Sequence, residues 1–322
     1  MRSKTEILSK ADMDKIHAAT IDLLWDTGIV VNHVEAREIL KGAGCKVDDE
    51  TGVVKFPADI VESAIKKVPE SFTIHSRDGK HNVEMVSDGS KTNNMTFGVG
   101  VKLTEYVSPG EYRTRDGTLE DLAKIARVTD ACENIDFFTL PISAMDLVGK
   151  ECARTLYETM AIVANSSKPI LLDPDPEYLQ EYFDIECACY DGDEKRAKKE
   201  PFFIVGGCPT SPLQLDHHAC ELAINCGKYG FPMMCLSMAM GAASAPIYLA
   251  GTLVVHNAEV LSAIVITQLA NPGVPTIYGS STTSFDFFCD SAPVGSPELA
   301  LISAGVAELA KYYRMPSIVA GT

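Results

Sequence analysis

Residues 236–281, LSMAMGAASAPIYLAGTLVVHNAEVLSAIVITQLANPGVPTIYGSS, decide the fold. A short apolar run, Pro232 to Met240, meets a break of small residues at Gly241 to Ser244. A long apolar segment then runs from Pro246 to Ala270. Asn271-Pro272-Gly273 stops it, and a second short run begins at Val274. The order is strand, turn, helix, turn, strand. Proline early in a helix loses no hydrogen bond. Asn-Pro-Gly ends one, because proline cannot continue the helix and glycine accepts positive φ.

The middle segment is long enough to cross a bilayer. However, His256, Asn257 and Glu259 lie at its centre, where polar groups are most costly in lipid. It therefore reads as a helix buried in a large soluble protein, with Ala250, Gly251, Ala258, Ser262 and Ala263 allowing close packing on a sheet. A carboxylate in so apolar a helix has two readings: Glu259 bridges a neighbouring element, or it is a site carboxylate.

Outward from this stretch the same alternation repeats. Short apolar runs at Phe137–Pro141, Pro169–Leu172, Phe202–Gly207, Pro232–Ser237, Val274–Gly279 and Ser317–Ala320 alternate with helical patterns near 150–165, 176–190, 214–228, 246–270 and 297–313. Alternating strands and helices imply a parallel sheet. With no glycine fingerprint beside a strand, the pattern predicts the α/β (β/α)8 TIM-barrel type, incomplete, with six βα units. Residues 1–70 read as helical, with Ser9 as a cap and Trp25 as core, and residues 71–118 as a β-ribbon region punctuated by glycine. The expected domains are thus an N-terminal extension over 1–118 and a partial barrel over 119–322.

A net charge of −16 argues against nucleic acid or an anionic membrane as partner. Ten cysteines without a CxxC pair, behind a polar N-terminus, read as reduced thiols in a cytoplasmic protein. Asp216-His217-His218-x-Cys220 carries ligand types, but adjacent histidines on a helix diverge, so no metal is expected there.

Sites in such barrels are built from the loops after the strands. That position selects Asp173, Cys208, Met240, Tyr278, Ser280, Gly321 and Thr322. Asp173-Pro174-Asp175-Pro176 reads equally as a helix cap. Cys208 reads as a nucleophile or ligand, and methionines such as Met238 and Met240 as core filling.

The blocks GAASAPIYLAGTLVVHNAEVLSAIVITQLANPGVPTIYG and VGSPELALISAGVAELAKYYRMPSIVAG resemble the trimethylamine:corrinoid methyltransferase family, pyrrolysine-containing type. The resemblance extends along the chain, more weakly before about Leu119. It implies transfer of a methyl group from trimethylamine to the cobalt of a cognate corrinoid protein, in methylamine catabolism and methanogenesis. The leaving nitrogen must carry positive charge, which an imine electrophile provides by taking up the amine. Glu259 and Tyr278 are the expected catalytic residues. Asp173, Cys208, Met240, Ser280, Gly321 and Thr322 are expected to bind substrate. The corrinoid is expected on a partner protein, and a homo-oligomer is expected. Betaine-type relatives without pyrrolysine act on substrates already charged, and an inactive barrel fragment that binds a partner is a further alternative. Within the resemblance, the strand at Pro316–Thr322 leads to the pyrrolysine position. The expectation is a longer enzyme with an in-frame UAG codon after Thr322 and two further strands beyond it.

Overall fold

The computed structural model describes residues 6–149 and 153–321. Helix α1 (Lys10–Asp26) begins at the expected cap: the Asp12 N–H donates to the Ser9 hydroxyl at 3.2 Å, and the Ser9 N–H donates to the Asp12 carboxylate at 3.1 Å. Its buried stripe is Ile16, Thr20 and Leu24. Trp25, expected in the core, lies one helical step past that stripe. It is 37% exposed, with the Lys46 ammonium 4.3 Å from its ring centre.

Gly28 then turns the chain with φ 83°. A Cβ there would lie 2.5 Å from the Val54 carbonyl oxygen, so no other residue fits. Next come β1 (Ile29–Val31), α2 (Val34–Ala43), β2 (Lys46–Val47), β3 (Val53–Lys55) and α3 (Ala58–Lys67). Three short strands thus interrupt a region expected to be wholly helical. β3 pairs antiparallel with both β1 and β2, and β1 also pairs in parallel with Gln214–Leu215. Strands of two or three residues carry no readable period, and the partner at 214–215 is remote in sequence.

The expected ribbon region holds β4 (Ser71–Ile74) paired with β5 (Val83–Val86), and the antiparallel hairpin β6 (Lys102–Ser108) and β7 (Glu111–Asp116). Thr118 caps α4 (Leu119–Ala131) with a second reciprocal box, to Asp121. The Arg115 guanidinium grips that carboxylate with bonds of 2.6 and 2.9 Å, holding Asp121 well below the usual carboxylate range.

The alternation follows: β8 (Phe138–Thr139), α5 (Arg154–Asn165), β9 (Ile170–Leu172), α6 (Leu179–Cys189), α7 (Glu194–Lys199), β10 (Phe203–Gly207), β11 (Gln214–Leu215), α8 (His217–Tyr229) and β12 (Met233–Ser237). After these come β13 (Met240–Gly241), α9 (Leu249–Ala270), β14 (Thr276–Ser280), β15 (Thr283–Ser284), α10 (Pro297–Tyr312) and β16 (Ser317–Val319). The six expected strands form the sheet β8-β9-β10-β12-β14-β16. Neighbours β8–β9, β9–β10, β12–β14 and β14–β16 are parallel. Every residue of β9, β10 and β14 is buried, as continuous apolar runs in a parallel sheet require. This is the TIM-barrel type with six βα strands.

The chain divides into two compact units. One comprises Met1–Phe72, Met85–Lys91 and Gly206–Thr322; the other comprises Thr73–Glu84 and Thr92–Val205. In the first, α9 is the core. It packs against α1, α2, α3, α8 and the strands β12 and β14. Burial on all sides leaves it no polar stripe, and each buried Leu, Ile or Val contributes roughly 1.5–3 kcal/mol. It starts at Leu249 rather than at Pro246. Pro246 instead folds back over the first turn, where a Cβ on Gly251 would sit 2.9 Å from the proline Cβ. The Thr252 hydroxyl donates to the Pro246 carbonyl at 2.8 Å.

Candidate functional site at the strand ends

In the first unit, the C-terminal ends of β10, β12, β14 and β16 lead into segments carrying Cys208, Met240, Ser280 and Gly321. Glu259 is the best-defined polar group beneath them. It lies in the middle of α9 and is fully buried. The Ser211 hydroxyl donates to its Oε2 at 2.7 Å, as does the Ser237 hydroxyl, and the Leu213 N–H donates to its Oε1 at 2.9 Å. Burial pushes the Glu259 pKa up, and the bonds from Ser237, Leu213 and Ser211 oppose that shift. The carboxylate thus ties the loop after β10 to the end of β12, as the bridging reading anticipates.

Thr282, just past β14, extends the connection. Its hydroxyl lies 3.4 Å from the Ser237 hydroxyl and 2.8 Å from His256 Nδ1; it donates to the Ser237 carbonyl at 3.2 Å. The Thr282 N–H donates to the Ser280 hydroxyl at 3.1 Å. His256 is fully buried, its Nε2 has no hydrogen-bond partner among the described residues, and burial pushes its pKa down to about 3, so the ring is neutral. Ser237 and Thr282 escaped the sequence reading. Single hydroxyl residues carry no periodic signal, and their partner is remote in sequence.

Tyr278 lies elsewhere. Its hydroxyl donates to Asn257 Oδ1 at 2.7 Å, and the Asn257 amide donates to the Tyr313 hydroxyl at 2.7 Å and to the Thr20 hydroxyl at 2.9 Å. Tyr278 therefore faces the layer between strand and helix and joins β14, α9, α1 and the end of α10. Met240 is half-buried in β13, which pairs with β15. Cys208 is half-buried, with its thiol 3.4 Å from the Pro209 carbonyl. Gly321 is exposed, and Thr322 lies outside the described residues.

The second unit holds a cavity of about 370 Å³ beyond β8 and β9, lined by residues that include Arg154, Thr155, Asp175, Glu177 and Tyr178. The carboxylates lining it are Asp175 and Glu177, whereas Asp173 is exposed and is not part of that lining. Asp175 makes no side-chain cap and instead accepts from the Thr155 hydroxyl at 3.0 Å. Two further buried carboxylates fasten helices to loops or strands in this unit. Glu158 accepts from the Ala144 N–H at 2.6 Å, and Glu186 accepts from the Phe202 N–H at 2.6 Å and the Phe203 N–H at 3.2 Å.

His33, His217 and Glu221 bring potential ligand atoms within 4.8 Å of one another. The chemistry of the set does not suit a metal. The Ala36 N–H donates to His33 Nδ1 at 3.1 Å, so the neutral ring carries its proton on Nε2. That proton points at Glu221, 3.0 Å away, where a ligating nitrogen would need a free lone pair. Asp216, in the run with ligand-type residues, caps α8 through the Ala219 N–H at 2.8 Å.

The chain matches the family model described as trimethylamine methyltransferase over residues 1–322. It is 48% identical over 312 residues to trimethylamine methyltransferase MttB of Methanosarcina barkeri, covering 97% of this chain and 62% of that protein. A glycine betaine methyltransferase of Desulfitobacterium hafniense is 29% identical over 319 residues, covering 98% of this chain and 64% of the relative. The chain thus spans less than two thirds of the length of these relatives. Among solved structures, the hydroxylamine complex of MtmB aligns with a TM-score of 0.64 at 13% identity, covering 97% of this chain and 61% of that one. At that identity the likeness speaks for the fold alone.

Proposed function

The chain belongs to the trimethylamine methyltransferase family, and on that premise we propose that it forms part of an enzyme moving a methyl group from trimethylamine to the cobalt of a cognate corrinoid protein. The observation that carries the reading is the family match over residues 1–322, with 48% identity to a relative of that name. The betaine alternative rests on a more distant relative, at 29% identity.

The chemistry sets the demands on the site. The N–CH3 bond breaks with its electron pair passing to nitrogen, while cobalt(I) gives its pair to the methyl carbon. Nitrogen must therefore bear positive charge before the bond breaks, or the leaving group is too poor. A pyrrolysine belongs to the same proposal and would supply an electrophile for the amine nitrogen. This chain's contribution is to position the strand-end loops and to keep the ground beneath them dry. The buried Glu259, Ser237, Thr282 and His256 support that role.

Exposed apolar side chains in the β12–α9 and β14–α10 connections support docking of a protein partner. They include Met238, Ile247, Tyr248, Phe287 and Phe288. A methylated amine would sit against Met240, Cys208 and Ser280, the strand-end positions of the same unit. Incubating the protein encoded by its whole gene with trimethylamine and a reduced corrinoid protein should release dimethylamine. Glycine betaine as the sole accepted donor would transfer the assignment to the betaine type.

A further inference from the structure

We propose that Glu259 is a positioning residue. It sets the loop after β10 and the end of β12 as one piece, with the segment after β14 joined through Thr282, and it acts through Ser211, Leu213 and Ser237 rather than on the substrate. The inference rests on the proposed reaction only for what these segments do, and their mutual fixing follows from geometry alone.

A carboxylate offers about four acceptor positions. Three are taken by protein donors at 2.7, 2.7 and 2.9 Å, and the group is fully buried within α9. Little remains for a substrate. The three donors come from two separate segments: Ser211 and Leu213 lie in the loop that begins with Cys208, and Ser237 is the last residue of β12. Ser237 in turn lies 3.4 Å from the Thr282 hydroxyl, and Thr282 meets His256 of the same helix at 2.8 Å. Helix α9 therefore holds all three segments through two of its side chains, Glu259 and His256, which are separated by one helical turn. Thr282 also accepts from the Ala239 N–H at 3.3 Å, which adds the residue preceding Met240. Displacing one segment must disturb the others, because Ser237 is shared.

Charge and positioning roles predict different variants. In Glu259→Gln the carbonyl oxygen still accepts from the Leu213 N–H, and the serine hydroxyls rotate to accept from the amide. In Glu259→Ala all three donors are orphaned. If the group only positions, Gln restores most of what Ala loses. If its negative charge balances an ammonium or moves a proton, Gln is as poor as Ala and the KM for amine rises.

The test has two arms. In the chain itself, peptide-resolved alkylation of Cys208 and amide exchange over 210–215 and 281–284 are measured for wild type, Glu259→Gln, Glu259→Ala and Ser237→Ala. The Ala variant should raise exchange in both segments about tenfold, the equivalent of one lost buried hydrogen bond, and Gln by much less. Ser237→Ala keeps the test open if Glu259→Ala does not fold, and should loosen 281–284 as well as 210–215. In the protein encoded by the whole gene, kcat should fall about tenfold for Glu259→Ala with KM unchanged, and Gln should recover most of it. Exchange in the two segments that does not change together overturns the inference whether or not the enzyme turns over. Gln and Ala equally inactive, with an active wild type, overturns it in favour of a charge role. A wild type without methyl transfer counts against the proposed reaction and leaves the first arm to decide this one.

Discussion

Glu186 gives the sharpest stability prediction. It sits in α6 with Oε1 accepting from the Phe202 and Phe203 N–H groups and Oε2 without a partner among the described residues. Burial pushes its pKa up from 4.5 to about 8, against the opposing pull of the two backbone donors. The folded chain therefore keeps this proton over a range where the unfolded chain has released it. Below about pH 4.5 both states are protonated and the group is neutral in the balance. As pH rises toward 8 the unfolded state gains by ionising, and the folded state loses stability at about 1.4 kcal/mol per pH unit, so the full difference is roughly 5 kcal/mol. Glu186→Gln cannot ionise and removes that slope. Urea unfolding of both chains at pH 5, 6.5 and 8 checks it. The wild type should lose stability relative to the variant by several kcal/mol over that range. Parallel pH profiles for the two chains would refute a buried proton at Glu186.

Three further substitutions separate structural from chemical roles. Tyr278→Phe orphans the buried Asn257 carbonyl and should cost roughly 1–3 kcal/mol in urea unfolding. Turnover should stay within a few-fold, and a loss of turnover without a loss of stability would place Tyr278 in the chemistry. Gly28→Ala combines an unfavourable φ with the overlap on the Val54 carbonyl, and should lower unfolding free energy by about 3 kcal/mol. Ser9→Ala removes a reciprocal cap and should cost only about 1 kcal/mol, because it lies at an exposed helix start; a Tm shift as large as that of Gly28→Ala would contradict the ranking.

The parallel sheet was legible because its strands are continuous apolar runs separated by helices with recognisable ends. Asn271 illustrates both the gain and the limit. Its place after Ala270 marks the stop of α9, but its side chain also donates to the Ala223 and Ile224 carbonyls at 3.1 and 2.8 Å, across to α8. Nothing local in the sequence foretells that. The same applies to β1, whose parallel partner Gln214–Leu215 is far along the chain. Trp25, read as core, is exposed because it lies one helical step past the buried stripe of α1.

For the site, position after a strand selects segments without the direction of each side chain. Ser280 and Tyr278 lie two residues apart on one strand. The Ser280 hydroxyl joins the Thr282 turn, whereas Tyr278 reaches the Asn257 junction. Glu259 stood out because a carboxylate is rare in an apolar helix. Its partners, a backbone N–H and two serines, could not be chosen from composition. Asp175 was passed over for Asp173 because both flank Pro174, and the sequence does not show that Asp175 is the one that lines the cavity and meets the Thr155 hydroxyl.

The most direct test of the central claim is the cobalt spectrum. The protein encoded by the whole gene, mixed anaerobically with a reduced corrinoid protein and trimethylamine, should convert cobalt(I) absorbance to that of methyl-cobalt(III), with one dimethylamine released per methyl transferred. Unchanged cobalt(I) absorbance with trimethylamine and every other methylated amine, under conditions where the corrinoid protein accepts methyl groups from a chemical donor, would contradict the account.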